Sequence, residues 1–189
     1  MTALSTERRD QAERENLITL LAEQRELFRI TLRGIDDAQA RERSTVSELT
    51  LGGLLHHLVN CERQWVAVVV ERDENAKLDV SQFDSEYRMA PEETVEGLLK
   101  EWDVVADNTS RVIRAVDGLD VSIPTPTSPW VPERVWWTVR FTLLHVSGRS
   151  PSTAATPTSS GRRWTGRTPP ISARPEGAGW TGKGVGGGR

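Results

Sequence analysis

LGGLLHHLVNCERQW, residues 51 to 65, decides the fold. Leu54, Leu58, Cys61, Trp65 and then Val68 recur at three- and four-residue intervals, the period of an α-helix that buries one stripe. Thr50 stands where an N-cap hydroxyl is needed. His57 lies three residues after Leu54 and four before Cys61, so it falls on the core face, and His56 falls on its flank. The bland role for such an imidazole is a core hydrogen bond; the sharper one is a metal ligand.

The same period extends outward. Leu17, Leu20, Leu21, Leu27, Phe28 and Leu32 mark a first helix over residues 10 to 33, with Gly34 as its stop. Pro91 is expected to open a third, in which Val95, Leu98, Trp102, Val105, Ile113 and Val116 keep the rhythm. Between them, residues 73 to 90 are polar and acidic and read as a long connection or lid. IPTPTSPWVPE, residues 123 to 133, is a proline-punctuated loop, and RVWWTVRFTLLHV, residues 134 to 146, reads as a buried fourth helix. Four helices predict an all-α four-helix bundle over residues 8 to 146. Thirteen residues would span about 20 Å, against about 36 Å for a helix of 24, so the fourth helix is expected to be truncated.

The chain of 189 residues is long enough to bury a core. Its single cysteine excludes an intramolecular disulfide, and no apolar run is long enough to span a membrane or act as a signal segment, so a cytoplasmic protein is expected. The net charge of −3 hides an asymmetry: from Ser147 onward, seven Lys or Arg face one acid, Glu176, leaving +6 on the tail and −9 on the bundle. Residues 147 to 189, rich in Ser, Gly, Pro, Thr and Arg, read as a disordered tail.

All three histidines fall in two places, His56 and His57 on the second helix and His145 near the end of the fourth. His145 is expected to point inward beside Phe141 and Trp137. Facing helices of a bundle are a common place for a metal, but zinc needs three or four ligands, and Cys61 on an apolar stripe is more often a small buried hydrophobe.

At LGGLLHHLVNCERQW, and again at VWWTVRFTLLHV, the sequence resembles the DinB-like superfamily. Within it the likeness is to the actinobacterial mini-circle proteins, a domain of unknown function related to mycothiol-dependent maleylpyruvate isomerase. The resemblance covers residues 12 to 146. It implies a four-helix bundle holding a divalent metal, zinc or nickel, with one histidine from the second helix and two ligands one turn apart on the fourth. His57 matches the second-helix ligand, and His145 becomes an additional ligand or a group behind the ligands. A small thiol such as mycothiol and a small electrophile are the implied partners.

The resemblance fails at the fourth-helix ligands. Relatives continue with Glu and His at four-residue spacing, where this chain has Arg149 and Thr153. Joining the third base of each codon to the first two of the next lets position 149 become Glu and position 153 His, and from 153 onward permits the string HGGHADIVREALDGAN. Trp164 sharpens the test, because its only codon ends in G and the displaced codon across Thr165 must read GAC, Asp, as in relatives. The basic tail therefore reads as a displaced frame, and without aromatic interleaving it gives no reason to expect nucleic-acid binding. Expectations are thus a metal-dependent thiol transferase or hydrolase inactive as written, with weak or absent metal. The alternatives are a metal-free helical binding or stress protein, or a homodimer in which a partner helix covers the gap.

Overall fold

In the computed structural model, which describes residues 2–43, 48–81 and 83–148, the chain runs through α1 (Thr2–Thr31), the single turn α2 (Asp37–Ala40) and α3 (Leu51–Glu71). It continues through the single turn α4 (Phe83–Glu86), α5 (Val95–Ala115), β1 (Ser122–Pro124), β2 (Trp136–Thr138) and α6 (Val139–Gly148). Thr50 and Thr94 start the two central helices by accepting a hydrogen bond from the backbone N–H of Gly53 and Gly97. The cap at Thr94 is why α5 begins at Val95 rather than at Pro91, which sits in the preceding turn.

The fourth helix also begins later than its apolar density suggests. Trp136, Trp137 and Thr138 pair antiparallel with Pro124, Ile123 and Ser122, burying Ile123 completely. Aromatic and β-branched side chains suit a pleated edge, and the partner strand lies too far away in sequence for local periodicity to reveal it. Ser147 and Gly148, expected to begin the tail, instead continue α6, and residues 149–189 lie outside the described residues.

Side-chain pairs fix the direction of each helix. His56 with Glu93, Arg63 with Glu101 and Arg72 with Asp117 ascend together, so α3 and α5 are parallel. Arg14 reaches the carbonyls of Ile113 and Val116, while Arg29 reaches Asp103, so α1 and α5 are antiparallel. Arg140 binds Glu13, and Val146 meets Leu21 and Arg25, which sets α6 parallel to α1. The result is an up-down-down-up bundle, and the parallel α3–α5 pair is what demands the long connection between Arg72 and Thr94.

Two apolar clusters fill the interior. One gathers Phe28, Leu55, Leu58 and Trp102; the other gathers Leu17, Leu21, Val69, Ile113 and Leu143. The buried stripe of α1 runs Arg14, Leu17, Leu21, Arg25, Phe28 and continues to Leu32 just beyond it, with two arginines in register, whereas Leu27 is 52% exposed. Both arginines are spoken for. Arg14 completes the carbonyl end of α5, and Arg25 forms a two-pronged pair with Glu62 of α3, Nε to Oε2 at 3.1 Å and Nη2 to Oε1 at 2.6 Å. Trp102 Nε1 and Thr109 Oγ1, both on α5, donate to the same carboxylate at 2.9 and 2.6 Å.

Glu62→Gln leaves Arg25 buried without a counter-charge, and breaking such a pair costs roughly 3–5 kcal/mol. A urea melt should therefore show a much lower midpoint for this variant, and an unchanged midpoint would refute the assignment. At the start of α6, hydrogen bonds from Arg140 hold the carboxyl of Glu13 below its ordinary value of 4.5. A depressed carboxyl contributes stability above its unfolded pKa and loses it as pH falls through the folded one. Arg140→Gln should accordingly flatten the loss of thermal stability below about pH 4.5, as read by melts across pH 3–7.

Candidate functional site

One end of α3 carries the chemistry. Its first turn opens with Gly52 and Gly53, and these two glycines let another segment sit on the helix. A Cβ at Gly53 would lie 2.0 Å from the carbonyl oxygen of Tyr87, and one at Gly52 would lie 2.6 Å from Sδ of Met89. The acidic connection is pinned there from the other side by Arg41, whose guanidinium donates to the carbonyls of Met89, Ala90 and Glu93.

Docked this way, the connection places two groups against His57. The Tyr87 ring stacks on the imidazole with centroids 4.1 Å apart, and Glu86 Oε1 approaches Nδ1 to 3.4 Å. That separation meets an ion-pair distance but not hydrogen-bond alignment, and Nδ1 is buried with no hydrogen-bond partner. His57 itself is 5% exposed, as its place on the apolar stripe predicts.

His56 is fully engaged in a different network. Arg63 donates to Asn60 Oδ1 at 2.6 Å, which turns the Asn60 amide nitrogen toward His56 Nε2 at 2.9 Å. Nε2 must then be the acceptor, so Nδ1 carries the proton and donates to Glu93, whose two oxygens are each 2.9 Å away. Glu93 also accepts from the Ala90 N–H at 2.7 Å, tying the network to the docked connection. Beside it lies a groove of about 470 Å³ lined by His56, Asn60, Gln64, Lys77, Phe83 and Glu86.

His145 lies elsewhere. It packs into an aromatic cluster, with ring centroids 5.1 Å from Trp65, 4.9 Å from Trp137 and 6.5 Å from Phe141. The neighbours are those expected, but Trp65 is eight residues after His57, about 12 Å along the helix axis. Thus the two histidines mark different levels of α3. Cys61 lines a small cavity with Arg25, Glu62 and Trp102.

A divalent metal can be tested against these residues. The orphaned Nδ1 of His57 is the kind of atom a metal would take, and Glu86 is a second donor beside it. Among the described residues, however, no group of three or more His, Cys, Asp or Glu is placed to hold an ion. The described residues therefore do not fit a complete metal site. Positions 149 and 153, where the fourth-helix ligands were expected, lie outside the described residues. Glu86 and Tyr87 were legible only as part of an acidic connection, and Glu93 only as a residue of the third helix expected from Pro91, because nothing in their spacing shows that the chain doubles back onto Gly52 and Gly53.

The all-α, up-down-down-up bundle is that of a DinB-like protein. The chain belongs to the mycothiol-S-transferase family, whose profile matches residues 16–149. No curated protein and no solved structure matches it. Among the described residues, no helix is long and apolar enough to cross a membrane.

Gly53→Ala should force the Tyr87 carbonyl off the helix and uncover His57. The expected readouts are faster amide exchange through residues 85–90 and a chemical-shift change at the His57 ring, with the Glu62 network intact. Unchanged exchange would show that the connection is not seated by that glycine.

Proposed function

We propose that the fold is that of a metal-dependent, mycothiol-linked transferase or hydrolase, and that the chain as written is an inactive version of it. The observation carrying this reading is the packing of α6 on α3. The two are antiparallel, and Val146 shares a cavity with Leu58 and Cys61. A helix continued in that direction would come level with His57 at about position 149 and pass it by position 153, at 1.5 Å per residue on both helices.

Those are the positions at which relatives supply the remaining ligands, and here they are Arg149 and Thr153. Arginine has no lone pair to give a metal. What a bound metal would supply to an intact member is a lowered thiol pKa. This chain's own residues provide the surroundings: His57 held by Tyr87, a polar groove alongside, and an acidic segment lying over both. The groove is within the size range of small-molecule sites, which supports a small thiol or small electrophile as the partner.

Restoring the displaced frame from codon 149 tests the reading. The restored chain should bind zinc stoichiometrically and at least a hundredfold more tightly than the chain as written, because three ligands replace fewer. Equal, tight binding by both chains would sink the displaced-frame account. Thiol-transfer activity should follow the same order.

A further inference from the structure

We propose that the groove beside α3 is a binding site, complete in the chain as written, for a small zwitterion carrying an amide link, of which a dipeptide is the simplest case. It rests on the reading of this groove as the seat of a small molecule, and on neither a metal nor the displaced frame.

The charges of the groove point to such a ligand. Lys77, Asp79 and Glu86 all line it. Among the described residues, however, the Lys77 ammonium makes no ion pair or hydrogen bond, with these carboxylates or any other. Opposite charges that face one cavity without meeting leave each available to a ligand bearing both signs, whereas a ligand of one sign would be attracted by one group and repelled by the other. Of the two carboxylates, Glu86 is the better partner for an ammonium. Its side chain is 19% exposed, and its approach to His57 is not a hydrogen bond, so its lone pairs are unspent. Asp79 is exposed, and its Oδ1 already accepts from the backbone N–H and the hydroxyl of Ser81 at 2.9 and 2.6 Å.

Between these charges lies a stripe of amides. His56, Asn60 and Gln64 follow one another at four-residue spacing along α3, a run of about 12 Å. His56 is committed to Glu93 and Asn60. Asn60 has spent one N–H and one lone pair, and the Gln64 carboxamide has no partner among the described residues. Carboxamides give and take hydrogen bonds at once, which is what a peptide link asks of its surroundings.

The opposite wall is apolar and braced before any ligand arrives. Leu78, Phe83 and Pro126 form it. The Leu78 N–H donates to the Thr127 carbonyl at 2.8 Å, the Thr127 N–H donates to Ala76 at 3.1 Å, and the Phe83 ring packs on Trp130 with centroids 5.3 Å apart. Arg134 adds donors to the carbonyls of Ala76 and Thr125. A preformed groove of about 470 Å³ with an apolar wall and few uncommitted polar groups suits a small ligand whose side chain packs while its ends pair.

Calorimetric titration of L-leucylglycine into the full chain at neutral pH tests the site, beside its N-acetyl form, which lacks the ammonium, and its methyl ester, which lacks the carboxylate. One site is expected for the free dipeptide, with each blocked form bound about fivefold more weakly or worse, the scale of one partly exposed ion pair. Lys77→Gln should erase the preference for the free dipeptide over the ester and leave that over the N-acetyl form. Glu86→Gln should do the reverse. Both side chains reach solvent, so both variants should fold, and thermal melts check that they do. No binding of the free dipeptide, equal binding of free and blocked forms, or a variant that weakens all three probes alike would each overturn the proposal. None of these results touches the zinc comparison of the two frames, so the family reading stands or falls separately.

Discussion

The carboxylate of Glu62 is the constraint around which the bundle is arranged. It sits between the two apolar clusters and receives donors from Arg25 on α1 and from Trp102 and Thr109 on α5. A buried charge with fewer partners would favour unfolding, so only a geometry that delivers all of these donors at once is stable. That requirement sets the height and rotation of three helices relative to one another, which apolar packing alone does loosely. The pair also crosses the bundle, because α1 and α3 each pack mainly on α5 and α6.

From this centre the two ends diverge. Toward the end of α3, ordinary structural closure dominates: Arg14 covers the carbonyls of α5, β1 pairs with β2, and Arg140 ties α6 to Glu13. Toward its start, closure is made by a borrowed segment, the connection that Arg41 and the Gly52–Gly53 step hold in place. Parallel α3 and α5 need a long crossover, and the crossover lands on the histidines. Topology and chemistry thus share one cause.

Much of the bundle was legible in the sequence. Thr50 as a cap, His57 on the core face and His56 on the flank all follow from the period of one helix. What escaped was polar or long-range. Arg14 and Arg25 hold core positions on α1, yet a search for apolar residues passes over them and favours Leu27, which is exposed. Trp136 to Thr138 look helical among their neighbours and become a strand because Ser122 to Pro124 lies alongside. At the site, one residue of the docked pair was visible and the other was not: His57 follows from periodicity, whereas Glu86 reaches it through a fold-back that depends on the absence of two side chains at Gly52 and Gly53. His145 was placed correctly among Trp137 and Phe141, but periodicity has no means of showing that Trp65 of α3 joins that cluster.

If the Glu62 network rather than a metal holds this bundle together, its folding should be indifferent to chelation. Thermal unfolding of the full chain, followed by circular dichroism with and without EDTA, measures this directly. The expected result is a cooperative transition at the same midpoint in both conditions. A midpoint that falls when EDTA is added would contradict it, and would mean that a bound metal is part of what folds the chain.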